Sequence, residues 1–415
     1  MKGERKTYES RSKMSTLKLN SLLEVTKAIN NNAPTRELLE TFEDTLKNKL
    51  NIGKLALFNY NESWECILTY GLKDEHEEIN VERDLLQHKE ISIVDAHHDF
   101  SFEIIIPVYH KNQPLAFVLI GDLDEDKLEL SPVIKHLPFV QTLTNIIVVA
   151  IENKRLFKEN IKQIAMRKEL ELASQMQNML FPESLPKTEQ INFDAKYLPH
   201  QEVGGDYYDF IWINKNEFMF CVADVSGKGL AAALLMSNFQ ANLRVLINHT
   251  SSLTELVKEL NTKVMLSAKG EKFITFFIGK YNIQTRTLAY INAGHNPPLL
   301  INGNSVSLLR IGCTGLGMFD ELISVKEGLV PVKPDSLLFC YTDGVVETEN
   351  EKEEYFGVHR LSSLLKRNQH ITPRQINEHL ITEVIDFKKT RPYADDIAIM
   401  CGKFPQMSNE SSVVA

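Results

Sequence analysis

Four apolar, strand-like runs in the second half of the chain start or stop on aspartate. Asp206 follows two glycines in VGGDYYDF, and Asp224 closes the run FMFCVAD before SGKG. Asp343 ends LLFCYTD ahead of Gly344, while Asp395 and Asp396 lead into IAIMCG. Charged aspartate is depleted in buried strands. A single case is turn or capping chemistry, and Asp343 before glycine reads that way on its own. Four at the ends of core strands constrain the fold, provided those ends meet. Two carboxylates about 5 Å apart repel by roughly 3 kcal/mol at an effective dielectric of 20. Several such pairs would strain a domain whose net stability is about 5–15 kcal/mol. Protons relieve the repulsion, and so do divalent cations. Four carboxylates carry the charge that neutralises two such ions, and an all-oxygen set suits Mg²⁺ or Mn²⁺ better than zinc.

The chain of 415 residues predicts two or three domains. Two helical patterns occupy residues 17–50, separated at NNNAP, and strand-like runs follow as KLALFNY, WECILTY, FEIIIPVY and LAFVLIGD. From Leu143 to Leu180 there is neither proline nor glycine, and Pro182 stops the run. That stretch predicts one helix of about 38 residues, roughly 57 Å long. Its apolar positions, among them Ile147, Phe157, Ile161, Leu172, Met176 and Met179, are heptad-like with interruptions. A parallel dimeric coiled coil is the favoured reading; an amphipathic helix packed on its own domains is the alternative. Residues 190–404 are strand-rich, with helices near 229–248, 253–268 and 372–387. Connections such as NIQTRT are too short for parallel crossovers, so mainly antiparallel sheets with outer helices are expected. The tail QMSNESSVVA reads as disordered.

Six ordered motifs, VGGDYYD, ADVSGKGLAAALLM, FITFFIG, AGHNPPLL, YTDGVVE and DDIAIM, resemble the PPM-type metal-dependent protein phosphatases. More narrowly they resemble the stage II sporulation protein E branch, across about residues 170–403. The resemblance implies an α+β fold: a C-terminal αββα sandwich of mainly antiparallel sheets. It also implies serine/threonine phosphatase activity with a binuclear Mn²⁺ or Mg²⁺ centre. By that resemblance Asp206 and Asp224 are metal ligands, Asp224 bridging both ions, and Val225 lends its backbone oxygen. Asp343 and Asp395 complete the second ion's shell, with Asp396 as the alternative to Asp395. Substrates in that branch are often phosphorylated anti-sigma-factor antagonists, which implies a small STAS-like phosphoprotein partner.

The hairpin IIIPVYHKNQPLAFVLIGD and its flanking helices resemble a GAF domain, implying a small sensory or dimerising α/β module. The expected organisation is then a GAF-like domain over 17–157, a helical linker over 143–182 and a phosphatase domain over 183–404. ELASQMQNMLFPESLP resembles the branch's regulatory segment. Through it the sensory module would shift the Asp224 loop.

Other chemistry-bearing residues read more modestly. Ser226 is expected to cap the following helix, and Lys228 to be solvated near the helix start, contact with a substrate phosphate being the alternative. GxxxxGK[ST] is broken by Val222 and Gly229, so this is not a P-loop. Gly204 and Gly205 would let backbone approach the site. His295 suits acid/base work by its ordinary pKa, yet NAGHNPP is also turn chemistry. His97 and His98 beside Asp99 read as a solvated loop rather than a metal site.

Net charge is −9, which argues against nucleic-acid binding. No 18-residue apolar run or secretory leader is found, and the five cysteines form no CxxC, so buried thiols in a reducing cytoplasm are expected. Two rivals remain: a non-catalytic dimeric scaffold, and a metallohydrolase of a small phosphorylated molecule.

Overall fold

The computed structural model describes residues 2–72, 79–94, 102–121, 132–250 and 252–406. His97, His98 and Asp99 lie outside them, as does the tail from 407 onward. The chain divides into two compact units, Met1–Ile164 and Ala165–Ala415.

The first unit runs α1 (Lys2–Asn30), α2 (Thr35–Asp44), β1 (Lys54–Asn61), β2 (Ser63–Tyr70), α3 (Val81–Asp84), β3 (Ser92–Ile93), β4 (Ile104–His110), β5 (Gln113–Gly121) and the start of α4 (Pro132–Asn178). Its five strands form one antiparallel sheet in the order β2-β1-β5-β4-β3. Strand alternation sends Leu55 and Leu57 to one face, where Val25, Phe42, Leu46, Val140 and Ile147 of the helices cover them. Ala56 points to the other face, among Val81, Leu85, Phe102 and Phe117. The helix α4 begins before the expected Leu143 and contains Pro138 in its second turn. Proline there removes only one intrahelical donor near the helix start, so it does not end the helix. The helix stops at Asn178; Phe157, Ile161, Leu172 and Met176 are exposed on it, and so is Met179 just beyond its end.

The second unit continues with β6 (Asn192–Leu198), β7 (Tyr207–Asn214), β8 (Glu217–Val225), α5 (Leu230–Ile247), α6 (Leu253–Ala268), β9 (Ile274–Asn282), β10 (Thr287–Ala293), β11 (Leu299–Asn302) and β12 (Ser305–Leu308). It ends with β13 (Gly312–Cys313), β14 (Gly328–Pro331), β15 (Ser336–Tyr341), α7 (Asp343–Val346), α8 (Gly357–Arg367), α9 (Pro373–Lys388) and β16 (Ile397–Phe404). One sheet runs β13-β10-β9-β8-β7 with β14 also on β10; the other runs β12-β11-β15-β16-β6. Pairing is antiparallel except between β10 and β13. Both sheets contribute Phe193, Phe218, Phe220, Phe277, Leu338 and Met400 to a shared inner core. α5 and α6 cover the outer face of the first sheet, and α8 and α9 that of the second. The layers are therefore α, β, β, α. Helix α5 is long and apolar enough by composition to cross a bilayer, but in this fold it packs on β8 and α6. The amphipathic α8, with Leu361, Leu364 and Leu365 inward, was not among the expected helices.

Candidate functional site

Antiparallel register brings the first two aspartates together. Tyr207 pairs with Ala223 across β7 and β8, so one step further Asp206 stands opposite Asp224. Asp224 is in turn paired with Thr275 on β9. Gly205 permits this approach, since a Cβ there would stand 3.0 Å from the Val225 carbonyl oxygen. The Val225 oxygen thus faces the turn that carries Asp206.

The other two come from the second sheet. β15 pairs Tyr341 with Ile399 of β16. Thr342 extends the ladder: its N–H donates to the Ala398 carbonyl at 3.0 Å, and its Oγ1 accepts the Ala398 N–H at 2.9 Å. Asp343 follows at the first position of α7, and Asp395 and Asp396 precede β16. Gly344 packs on the Asp396 carbonyl so closely that a Cβ would overlap it.

Electrostatics shows that these ends form one neighbourhood. Burial, and then the charges of Asp343 and Asp395, push the Asp224 carboxyl up to about 7. Asp343 is pushed up to about 6 by burial, Glu347 and Asp395. Asp206 is 2% exposed and held far above the ordinary carboxylate range by burial, then by Asp224 and Asp396. The raised values favour the protonated forms of both acids. Even so, Oδ2 of Asp206 is buried with no hydrogen-bond partner. Among the described residues no three His, Cys, Asp or Glu side chains are already grouped as a cation cage. An orphaned buried oxygen, hard carboxylate donors and raised pKa values fit a pair of divalent cations of the Mg²⁺ or Mn²⁺ type.

The adjacent Asp395 and Asp396 do different things. Asp396 accepts the His200 N–H at 2.6 Å on Oδ1 and the Gly205 N–H at 2.8 Å on Oδ2. It ties the glycine turn to β16, and a Cβ at Gly204 would fall on its carboxylate. Asp395 is the more exposed and meets Lys228 at 3.0 Å.

One expectation changes, and two further residues find definite partners. Ser226 does not cap α5, because the helix begins beyond it with Gly229 as N-cap. Instead its Oγ accepts the Phe273 N–H and its own N–H donates to the Phe273 carbonyl, each at 2.9 Å, fixing the loop after Asp224 to β9. Lys228 is exposed near the helix start as expected, and it also pairs with Asp395. His295 is 5% exposed, joined through Nδ1 to Thr275 Oγ1 at 2.8 Å, and burial lowers its pKa to about 4. A neutral imidazole behind the β9 strand is a structural post rather than an acid.

Two supports were missed. Gln177, at the end of α4, donates from Nε2 to the Gly204 carbonyl at 2.6 Å and accepts the Gly204 N–H on Oε1 at 3.2 Å. Beneath β7, buried Asp209 is held by Arg244 of α5 at 2.8 and 3.0 Å and by the Tyr207 hydroxyl at 2.5 Å. The aspartate in VGGDYYD was visible as a motif residue, whereas Gln177 lies inside the quoted segment ELASQMQNMLFPESLP without being singled out there.

Residues 214–405 match the family model of stage II sporulation protein E, SpoIIE. The second unit carries a SpoIIE-family domain. Over 244 residues the chain is 29% identical to protein IcfG of Synechocystis sp., covering 52% of this chain and 38% of that protein. It is 27% identical over 190 residues to the phosphoserine phosphatase RsbU of Bacillus subtilis, covering 46% of this chain and 56% of that one. The chain thus matches only 38% and 56% of the lengths of these two relatives. The solved SiaA-PP2C domain of Pseudomonas aeruginosa shares the fold of the SpoIIE-family domain, with a TM-score of 0.54 at 20% identity over 59% of this chain and 98% of that domain.

Proposed function

We propose that this chain is a metal-dependent protein serine/threonine phosphatase regulated by its N-terminal unit. The observation that carries the reading is the set of aspartates at the sheet ends of a SpoIIE-like domain, with Asp206 Oδ2 buried and unpartnered. Asp206, Asp224 and the Val225 carbonyl would hold one Mn²⁺ or Mg²⁺ ion; Asp224, Asp343 and Asp395 would hold the other. When bound, such a pair makes water acidic enough to attack a phosphomonoester at neutral pH and offsets charge on the leaving oxygen. The protein's own part is placement. The Asp396 staple and the Gln177 clamp hold the Gly204–Gly205 turn, and the Ser226–Phe273 pair holds the loop after Asp224. Cys221, Cys340 and Cys401 are buried and pushed to high pKa by burial, so none is poised as a nucleophile.

Regulation follows from the same clamp. A shift of α4 would pull Gly204, two residues from Asp206, through Gln177. The first unit is read as the sensory module, GAF-like in type, and the exposed apolar positions of α4 as the seam of a homodimer. A small STAS-like phosphoprotein is the proposed substrate, and the cytoplasm the proposed location. The name phosphoserine phosphatase borne by RsbU supports this class of substrate. Phosphate release from phosphoserine and phosphothreonine proteins, with Mn²⁺ and then with chelator, tests the reading. Chelator-resistant or absent release rejects it, and a preference for small phosphate esters over phosphoproteins favours the small-molecule rival.

A further inference from the structure

Lys228 lies between Gly227 and Gly229, whose backbones are left-handed at φ 85° and 73°. Glycine takes that conformation without strain, so the loop can present the lysine towards the site. Its ammonium stands 3.0 Å from Asp395 Oδ2 and donates to the Ala394 carbonyl. The other Asp395 oxygen, Oδ1, accepts the Asp396 N–H at 2.9 Å. Both oxygens of Asp395 therefore have partners. The lysine's charge also acts on Asp343, in the direction that favours its ionised form. The ammonium is thus paired with a carboxylate that the proposed function assigns to the second cation.

The pair is a poor stabilising device. Lys228 is 43% exposed and Asp395 41%, and ion pairs so open to water contribute little. That same weakness makes the contact easy to open. An ammonium is a compact, hydrated point charge on a flexible stem. It neutralises a carboxylate with a single charge, whereas a divalent cation brings two and binds oxygen directly.

We propose that Lys228 is a tethered competitor for the second cation, neutralising Asp395 until a divalent ion displaces it and so setting that ion's affinity. The proposal rests on the metal-site reading above and adds a residue that tunes it.

The test is calorimetric titration of Mn²⁺ into the full chain after chelator treatment. Lys228→Met keeps the stem and removes the charge, so it binds the weaker ion roughly three- to tenfold more tightly than wild type. Lys228→Arg keeps the charge and retains weak binding of that ion. Equal affinity in wild type and Lys228→Met overturns the proposal. A second measurement needs no variant: acylation of Lys228 by an amine-reactive ester, read by peptide mass spectrometry. Saturating Mg²⁺ raises that labelling several-fold, and unchanged labelling also overturns the proposal. If wild type binds no Mn²⁺ at all, the metal-site reading fails with it. Normal binding that Lys228→Met leaves unaltered removes only the lysine's role.

Discussion

Asp206 and Asp224 face each other one step beyond the last residue pair joining β7 to β8, and burial together with neighbouring charge raises both carboxyl pKa values. Two acids in that position hold protons that the unfolded chain would release. Several expectations depend on this.

Stability without divalent cations should fall as pH rises. Asp224 is raised to about 7 and Asp343 to about 6, above the ordinary 3.8. Between those values the folded state binds more protons than the unfolded state, so the stabilisation present near pH 4 is lost on the way to pH 7. In chelator the thermal midpoint at pH 8 should lie roughly 3–10 °C below that at pH 5. Mn²⁺ at pH 8 should restore it, because cations then take over from protons. A midpoint that is flat or rises with pH would contradict this.

Asp224→Asn should separate stability from activity. With one fewer carboxylate in the cluster, the variant in chelator at pH 8 should be about 1 kcal/mol more stable to urea than wild type. Its phosphate release should drop by at least about a hundredfold. A variant less stable than wild type in chelator would mean that repulsion does not dominate the site.

Gly204→Ala puts a methyl group onto the Asp396 carboxylate and the Tyr197 hydroxyl. Overpacking there should cost about 2 kcal/mol in urea unfolding and displace the turn that aims Asp206. Wild-type stability and turnover in this variant would show that the turn is not under that constraint.

Gln177→Ala leaves the buried N–H and carbonyl of Gly204 without partners, a loss of about 1–3 kcal/mol. On the clamp reading kcat should fall with KM little changed, since the residue touches the turn and not the substrate. A change in KM alone would point to substrate contact instead.

The strands and the aspartates at their ends were legible because each is a local pattern: an apolar run, then a carboxylate beside a turn. Antiparallel order was legible too, since a linker such as NIQTRT admits little else, and Ile283 to Arg286 do turn β9 into β10. Ser226 was misread because a helix start looks the same whether serine or the glycine three residues later is its N-cap. Asp395 was preferred to Asp396 on the family resemblance alone, because the backbone N–H groups that occupy Asp396 come from His200 and Gly205, almost two hundred residues away in the chain. Gln177 was invisible for the same reason. Its partner is the main chain of a turn, and a glutamine on a polar helix carries no mark of that.

Counting bound Mn²⁺ by calorimetry, in wild type and Asp224→Asn, probes the centre most directly. Two equivalents per wild-type chain, falling to one or none in the variant, is the expected result. Equal stoichiometry and affinity in both proteins would contradict a cation pair bridged by Asp224.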